Sequence, residues 1–279
     1  MKGTMSSMAV VVCGLITSVA TSLVVVFASK IIGIDIYTAS VWGVIPIGAI
    51  FAGGFAASGY YFGCVYFNKH PDKWLLWQML VVAALAQYLI YYVGYATLVL
   101  DDGRSVSDVI SFGSYVKLTL TKSHLHVGYV SGETPELGWL GYGMAVIYFI
   151  GFLLGALLAW CLLRIKPFCS TCNVYLRKLF KCSRSFPDSD AASSYYDHVF
   201  THAFDSQEFA AMIKGQQKVA KPTNGAVMID TFLHACPKCS TQLIEEKVQV
   251  HNGKSWSESV KLGRRISVPS GTNLSGVFR

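Results

Sequence analysis

Four long apolar runs, separated by short polar segments, dominate the first part of the chain. They cover residues 8–28, 41–67, 74–100 and 139–163, and none of them contains Asp, Glu, Lys, Arg or His. A helix needs about 20 apolar residues to cross a hydrocarbon core that is ~30 Å thick. The pattern therefore predicts a membrane all-α bundle of four transmembrane helices, set in the lipid bilayer, as a domain over residues 1–163.

The first run also admits a second interpretation. Val26-Phe27-Ala28 resembles the small-residue cleavage site of a secretory signal, and Lys2 precedes the run. The apolar part of a signal peptide has only ~7–15 residues, however, and this run is longer. We therefore expect a retained helix rather than a cleaved leader.

Small residues recur at helical spacing in the second and fourth runs. Gly59 and Gly63 enclose three larger residues, and so do Gly151 and Gly155. Such spacing lets two helix backbones approach closely in lipid, where no hydrophobic force drives helices together. It predicts helix packing within the bundle or, as the alternative, the contact surface of a homo-oligomer.

The third run carries a stripe of tyrosines. Tyr88, Tyr91, Tyr92 and Tyr95 follow the i, i+3, i+4, i+7 spacing of one helix face. This pattern favours packing and contact with the membrane interface. A lipid-like or quinone-like ligand held by the stripe is the alternative.

The excursion at 101–138 is longer than a simple connection between helices. Its pattern predicts a short amphipathic helix and then a loosely alternating strand over 115–129. The strand would put His124 and His126 on one face. Because a structural metal site needs about four ligands, this pair by itself is a weak metal candidate.

After residue 163 the pattern changes to short alternating segments. Residues 174–186 read as an amphipathic stretch on the inner leaflet, and 189–211 as a helix. Strands are expected at 226–233 and 243–250, with a shorter one at 265–268. The domain over 164–279 is therefore expected to be α+β.

Two Cys-x-x-Cys elements supply the clearest chemistry, namely Cys169-Ser-Thr-Cys172 and Cys236-Pro-Lys-Cys239. Four thiolates in this pattern are typical of a structural Zn²⁺ site, so the domain is expected to be zinc-ribbon-like. The two pairs lie much farther apart than the roughly 12–20 residues of a compact site, which predicts a helical insertion at about 186–215.

Two alternatives to this metal site stay open. Cys182 or His234 could replace one of the four thiols as a ligand. A redox-active Cys-x-x-Cys pair is also conceivable, but it would leave the other pair unexplained.

The charges then set the expected topology. Residues 1–163 hold seven Lys/Arg and seven Asp/Glu, whereas 164–279 hold sixteen and nine, so the whole net charge of +7 lies in the C-terminal part. Basic residues collect on the cytoplasmic side of a membrane protein, and thiolate zinc sites persist best in a reducing compartment. Both termini are therefore expected in the cytoplasm and 101–138 outside it. We expect the protein to lie in a bacterial plasma membrane.

Candidate catalytic residues are not found. The chain shows no phosphate-binding loop, nucleophile elbow or paired-carboxylate motif, and His198-Val-Phe-Thr-His202 lacks the glutamate of a zinc protease. A nucleic-acid partner is disfavoured because the basic residues are dispersed. We expect an interaction, sensor or regulatory component with a protein partner on the cytosolic side. An oligomeric channel or transporter is one alternative, and a lipid-binding or lipid-modifying protein is another.

Overall fold

A computed structural model describes residues 2–33, 35–41, 45–100, 103–122, 136–215, 222–269 and 271–278. The chain divides into two compact units, an N-terminal unit over residues 1–165 and a C-terminal unit over residues 166–279.

The N-terminal unit is helical. Its helices are α1 (Lys2–Ile32), α2 (Ile47–Tyr66), α3 (Lys73–Thr97), α4 (Val106–Val109), α5 (Phe112–Thr121) and α6 (Leu140–Ile165). Four of them are long and apolar enough to cross a membrane, which confirms that part of the prediction: Ser7–Ile32, Ile47–Tyr66, Lys73–Thr97 and Leu140–Ile165.

The second of these helices starts later than the apolar run that predicted it. Val41 and Ile45 exchange backbone hydrogen bonds of 3.0 and 3.1 Å, and Pro46 follows directly. Proline lacks the N–H of a helix interior but is tolerated where a helix begins. The helix therefore begins at Ile47 instead of at residue 41.

Glycines allow the helices of this unit to touch backbone to backbone. A Cβ atom on Gly53 would lie 2.0 Å from the carbonyl oxygen of Phe152, and one on Gly155 would lie 2.1 Å from that of Ile50. A Cβ on Gly59 would lie 2.2 Å from a carbonyl oxygen of α1. No larger residue fits at such distances, so these glycines fix the packing of α2 against α1 and α6.

Both predicted glycine pairs lie at contacts inside one chain. Gly59 and Gly63 face α1, where the nearest atom to a Cβ on Gly63 is the Cα of Val10, 3.3 Å away. Gly151 and Gly155 face α2 and the proline before it. An oligomer contact through these glycines stays a prediction.

The tyrosine stripe of α3 packs against the segment that connects α3 to α6. The ring of Phe112 on α5 lies 5.4 to 5.8 Å from the rings of Tyr88, Tyr92 and Tyr95. The Tyr95 hydroxyl also donates a 2.8 Å hydrogen bond to the carbonyl oxygen of Ile110. Three of the four tyrosines therefore meet protein side chains through aromatic packing.

The strand expected over 115–129 is wrong in its described part, because α5 runs through Thr121. Ser111 begins this helix, with its hydroxyl accepting a hydrogen bond from the backbone N–H of Ser114 at 3.3 Å. Such a cap stabilises a helix that side-chain alternation alone does not reveal. His124 and His126 lie outside the described residues.

The C-terminal unit contains a two-stranded and a four-stranded antiparallel sheet, the latter in the order β3-β4-β5-β6. Its elements are β1 (Phe168–Cys169), β2 (Val174–Tyr175), β3 (Arg177–Phe186), α7 (Ser189–His198), α8 (Gln207–Lys214), β4 (Val227–Ala235), β5 (Gln242–His251), β6 (Trp256–Ser267) and a short 3-10 helix (Leu274–Gly276).

Two expectations for this unit need correction. Residues 174–186 are strands β2 and β3, not an amphipathic stretch on the membrane surface. The helix expected over 189–211 is two helices, because Ser206 starts a new one by accepting a hydrogen bond from the N–H of Phe209 at 3.1 Å.

The core of the unit lies between one face of the larger sheet and helices α7 and α8. Buried aromatic and aliphatic side chains fill it, including Phe186, Phe209, Leu233 and Ile244. Leu274 of the short 3-10 helix belongs to the same cluster. Burial of each large side chain contributes about 1.5–3 kcal/mol, so this core is the main source of stability for the sheet.

A buried ion pair ties α7 to β6. The Glu246 side chain is fully buried and accepts a 2.7 Å hydrogen bond from Nε of Arg264. The Arg264 guanidinium lies 3.6 Å from the ring centre of Tyr196 on α7 and donates to the carbonyl oxygen of that residue at 2.6 Å. Burial raises the pKa of Glu246, and Arg264 opposes that shift.

Both edge strands of the larger sheet are irregular. On β3 the register shifts between Lys178 and Phe180, which leaves Leu179 unpaired. On β6 the residues from Val260 to Gly263 are inserted opposite Lys247 alone. The inserted residues form a bulge whose Val260 is 83% exposed.

Candidate metal centre

The two Cys-x-x-Cys elements occupy equivalent places in two hairpins. The first connects β1 to β2, with Cys169 paired to Val174. The second connects β4 to β5, where the N–H of Cys236 donates to the carbonyl oxygen of Thr241 at 2.8 Å. In each hairpin the first cysteine pairs with the residue five positions later, so the two tight turns have the same register.

The backbone turns the same way after each second cysteine. Asn173 has φ 51° and Ser240 has φ 59°, and each residue directly follows the last cysteine of its pair. This left-handed conformation is tolerated by asparagine and is less favourable for serine. The shared geometry shows that each Cys-x-x-Cys element folds as the same kind of turn.

The four turn cysteines meet at one point. The sulfur atoms of Cys169, Cys172, Cys236 and Cys239 all lie within 4.8 Å of one another. The Sγ atoms of Cys169 and Cys239 are 3.6 Å apart, far beyond the ~2.05 Å of a disulfide bond. In a tetrahedral site with Zn–S bonds of ~2.3 Å, the sulfur atoms would lie ~3.8 Å apart. The thiols thus have the spacing that one metal ion requires.

Donors lie close to two of the four sulfur atoms. The N–H of Lys238 lies 3.5 Å from Sγ of Cys236, and the Thr241 hydroxyl lies 3.0 Å from Sγ of Cys239. The contact with Thr241 lowers the pKa of Cys239 to about 6. Contacts with the neighbouring thiols, first that of Cys239, raise the pKa of Cys172 to about 12. A bound cation would favour the deprotonated form of the thiols that coordinate it.

The chemistry of the donor set fits a structural metal. Four thiolates suit a soft or borderline ion in tetrahedral geometry and leave no coordination position open for water. Cys169 and Cys236 are buried together with Val174 in a small apolar cluster, against which Leu176 packs. This cluster is separate from the larger core, so a bound metal ion would give the turns a second source of stability.

The alternative ligands lie elsewhere. Cys182 packs against the larger hydrophobic core on β3, and Nε2 of His234 lies 3.1 Å from a carboxylate oxygen of Glu245. Nδ1 of His198 lies 2.7 Å from the carbonyl oxygen of Ser194. None of these three residues belongs to the group of four thiols.

The sequence identified all four cysteines but not the residues that shape their surroundings. Thr241 follows the last cysteine by two positions, where a hydroxyl can reach back to its sulfur. Asn173 stands where a tight turn needs a positive φ, and an asparagine directly after a Cys-x-x-Cys element is a usable signal for that turn. Ser240 carries a weaker signal of the same kind.

Comparisons with known protein families, with curated proteins and with solved structures find no match to this chain.

Proposed function

We propose that this chain is an integral membrane protein whose C-terminal, zinc-ribbon-like unit works in the cytosol as a docking module of a sensor or regulatory assembly. The observation that carries the proposal is the meeting of four thiols within 4.8 Å in a unit that follows four candidate membrane spans in the sequence. Zn²⁺ is the metal that such a tetrahedral thiolate set favours in a structural role.

The compartment is argued from redox chemistry and from charge. Free thiols survive in a reducing compartment, and the segment that follows the last candidate span is rich in Lys and Arg. Both arguments put the C-terminal unit on the cytoplasmic side. With four spans, the N-terminus then lies on that side too.

Docking is favoured over catalysis because the metal site has no open coordination position. The four apolar runs also lack Asp, Glu, Lys, Arg and His, which mark ion paths and intramembrane catalysis. The bulge on β6 instead exposes Val260 and Leu262, which are 83% and 48% exposed, on either side of Lys261. Exposed aliphatic side chains beside a cation suit a partner with an apolar, partly acidic surface.

Metal analysis of the full-length protein tests the first half of the proposal. We expect about one zinc per chain, and loss of that zinc in the double variant Cys236→Ser, Cys239→Ser. The variant should lose protease resistance in the C-terminal unit and remain in the membrane fraction. Cys182→Ser is the control and should keep its zinc. A wild-type protein without stoichiometric metal would contradict the proposal.

Crosslinking in cells tests the second half. A photoreactive residue at position 260 should give a discrete adduct with one partner protein, whereas the same residue at the exposed position 254 should not. At the C-terminus, a fused reporter that works only in the cytoplasm should be active, and one that works only outside the cytoplasm should be inactive. An extracytoplasmic C-terminus, or equal crosslinking at both positions, would overturn the docking role.

A further inference from the structure

Two grooves of similar size lie end to end along the pair formed by α1 and α2. The first has a volume of about 420 Å³ and the second about 470 Å³. Both volumes fall in the ~300–1,000 Å³ range of ligand sites. Thr17 lines both grooves, so they meet at this residue.

Their position along the helices matches the two leaflets of a bilayer. On α2 and the residue after it, the lining runs from Gly48 to Phe67. At 1.5 Å per residue that is ~29 Å, close to the ~30 Å thickness of a hydrocarbon core. The first groove extends from Thr17 to Ala28 on α1, which is ~16 Å, or about one leaflet.

The grooves meet where hydrogen bonds join the two helices. The Thr17 hydroxyl donates to the carbonyl oxygen of Ala56 at 2.8 Å and accepts from the N–H of Gly59 at 3.1 Å. Thr17 and Gly59 both lie near the middle of their candidate spans. The junction is therefore at the depth where the acyl chains of opposite leaflets end.

The groove walls are suited to hydrocarbon. Val24 and Phe55 on the rim of the first groove are 64% and 66% exposed, and Ile16 and Phe62 line the second at 63% and 66%. The grooves are thus continuous with the exposed apolar surface of α1 and α2, which would meet lipid in a membrane. The hydroxyl of Thr17 already has protein partners, so it does not call for a polar ligand.

We infer that the α1–α2 pair holds two acyl chains of bilayer phospholipids, one from each leaflet, in grooves that meet at Thr17. Two separate chains account for the division at mid-depth, whereas a transmembrane helix of a second copy would bridge both grooves as one rod about 10–12 Å wide. The inference rests on the proposed membrane insertion of α1 and α2, and it adds a lipid-binding role to that function.

Native mass spectrometry of the full-length protein in mild detergent tests the inference. The wild type should retain up to two phospholipids after extensive delipidation. Ala20→Phe, which fills the first groove from an exposed position, should lower retention in the two-lipid state at least tenfold. Val19→Phe adds the same ring one residue away, outside both grooves, and should retain lipid as the wild type does. Equal retention in the two variants would overturn the inference.

Photolabelling then locates the lipid. In vesicles that contain phosphatidylcholine with a diazirine on its acyl chain, we expect adducts on the groove residues of α1 and α2 well above those at Leu85 of α3, which is 59% exposed. Equal labelling at all exposed positions would show that the grooves contact lipid no more than the rest of the surface does, and it would overturn the inference. A native dimer without lipid would assign the grooves to a second copy and overturn the inference.

The same samples separate this inference from the proposed function. A protein absent from the membrane fraction would defeat both. A protein that is inserted, carries zinc and lacks retained lipid would defeat the lipid sites alone.

Discussion

The N-terminal and the C-terminal units reach close packing by different means. In the N-terminal unit, glycines bring α2 against main-chain atoms of α1 and α6, and buried side chains such as Tyr60 and Phe152 complete the packing. In the C-terminal unit, large side chains fill one core and four thiols form a second, smaller centre. A lipid environment around the N-terminal unit would account for this difference, because lipid does not reward the burial of apolar side chains as water does.

The two units are therefore expected to tolerate different substitutions. Where helix backbones touch, adding one methyl group is expected to destabilise the unit most. Where a buried ion pair or a metal site stabilises the fold, removing one partner is expected to destabilise the unit most.

Metal removal should have the largest effect. A structural zinc site contributes on the order of 10 kcal/mol to folding, so a strong chelator should unfold the C-terminal unit. The helical N-terminal unit should keep its unfolding temperature in detergent. Hydrogen exchange resolved by peptide measures both units in one sample, and re-added Zn²⁺ should restore protection at β4 and β5. A chelated protein with undiminished protection there would contradict the prediction.

Arg264→Met should lower the free energy of unfolding of the C-terminal unit by about 3–5 kcal/mol, because it leaves the Glu246 carboxylate buried without a cationic partner. Arg265→Met is the matched control. Arg265 pairs with Glu245 at 2.6 Å in a more exposed position, and its loss should cost about 1 kcal/mol or less. Denaturant unfolding of the two proteins at pH 7 gives the comparison, and equal losses would show that burial of Glu246 is not the cause.

Gly53→Ala should lower the stability of the helix bundle by about 2–3 kcal/mol, since the added Cβ would lie 2.0 Å from the carbonyl oxygen of Phe152. Gly54→Ala adds the same methyl group one residue later, where the nearest contact is 3.9 Å away. The control should be neutral or slightly stabilising. Thermal unfolding in detergent distinguishes them, and zinc content should be unchanged in both.

Glu245→Gln should cost about 1–2 kcal/mol at pH 7. Its hydrogen bond with His234, together with Arg265, lowers the pKa of Glu245 to about 2 from the ordinary 4.5. A lowered folded pKa contributes stability above pH 4.5, and that contribution is lost as the pH falls toward 2. The difference between variant and wild type should therefore shrink over this window. A constant difference across it would refute the electrostatic origin.

Ser240→Gly should have the smallest effect and the opposite sign. Ser240 has φ 59°, which glycine adopts without strain, so the variant should be more stable by about 0.5–1 kcal/mol. Ser240→Val is the counterpart and should lower stability and zinc affinity, because a β-branched residue is disfavoured at positive φ. Zinc competition with a chromophoric chelator measures both variants. A gain for valine would contradict the assigned backbone effect.

Local patterns predicted the features that depend on neighbouring residues in the sequence. The four candidate spans follow from uninterrupted apolar runs, and the thiol group follows from two Cys-x-x-Cys elements that each specify a turn. The meeting of those two turns also agrees with their chemistry, since four thiolates complete one tetrahedral set.

The features that the sequence did not reveal depend on tertiary contacts or on single capping residues. Strand β3 was mistaken for a membrane-surface stretch because the bulge at Leu179 interrupts its alternation. The break before α8 depends on Ser206, and α5 depends on Ser111. The ion pair between Glu246 and Arg264 joins two strands of the sheet, and no periodic pattern in the sequence predicts it.

The irregular edges of the larger sheet gain importance in any protein that is held in a membrane. Proteins confined to a bilayer meet in two dimensions, so any exposed strand encounters its own copies far more often than in free solution. The unpaired Leu179 on one edge and the inserted residues Val260 to Gly263 on the other interrupt the straight rows of donors and acceptors that such encounters would join. These interruptions protect both edges of the sheet against pairing with another copy, and Val260 of the bulge stays exposed.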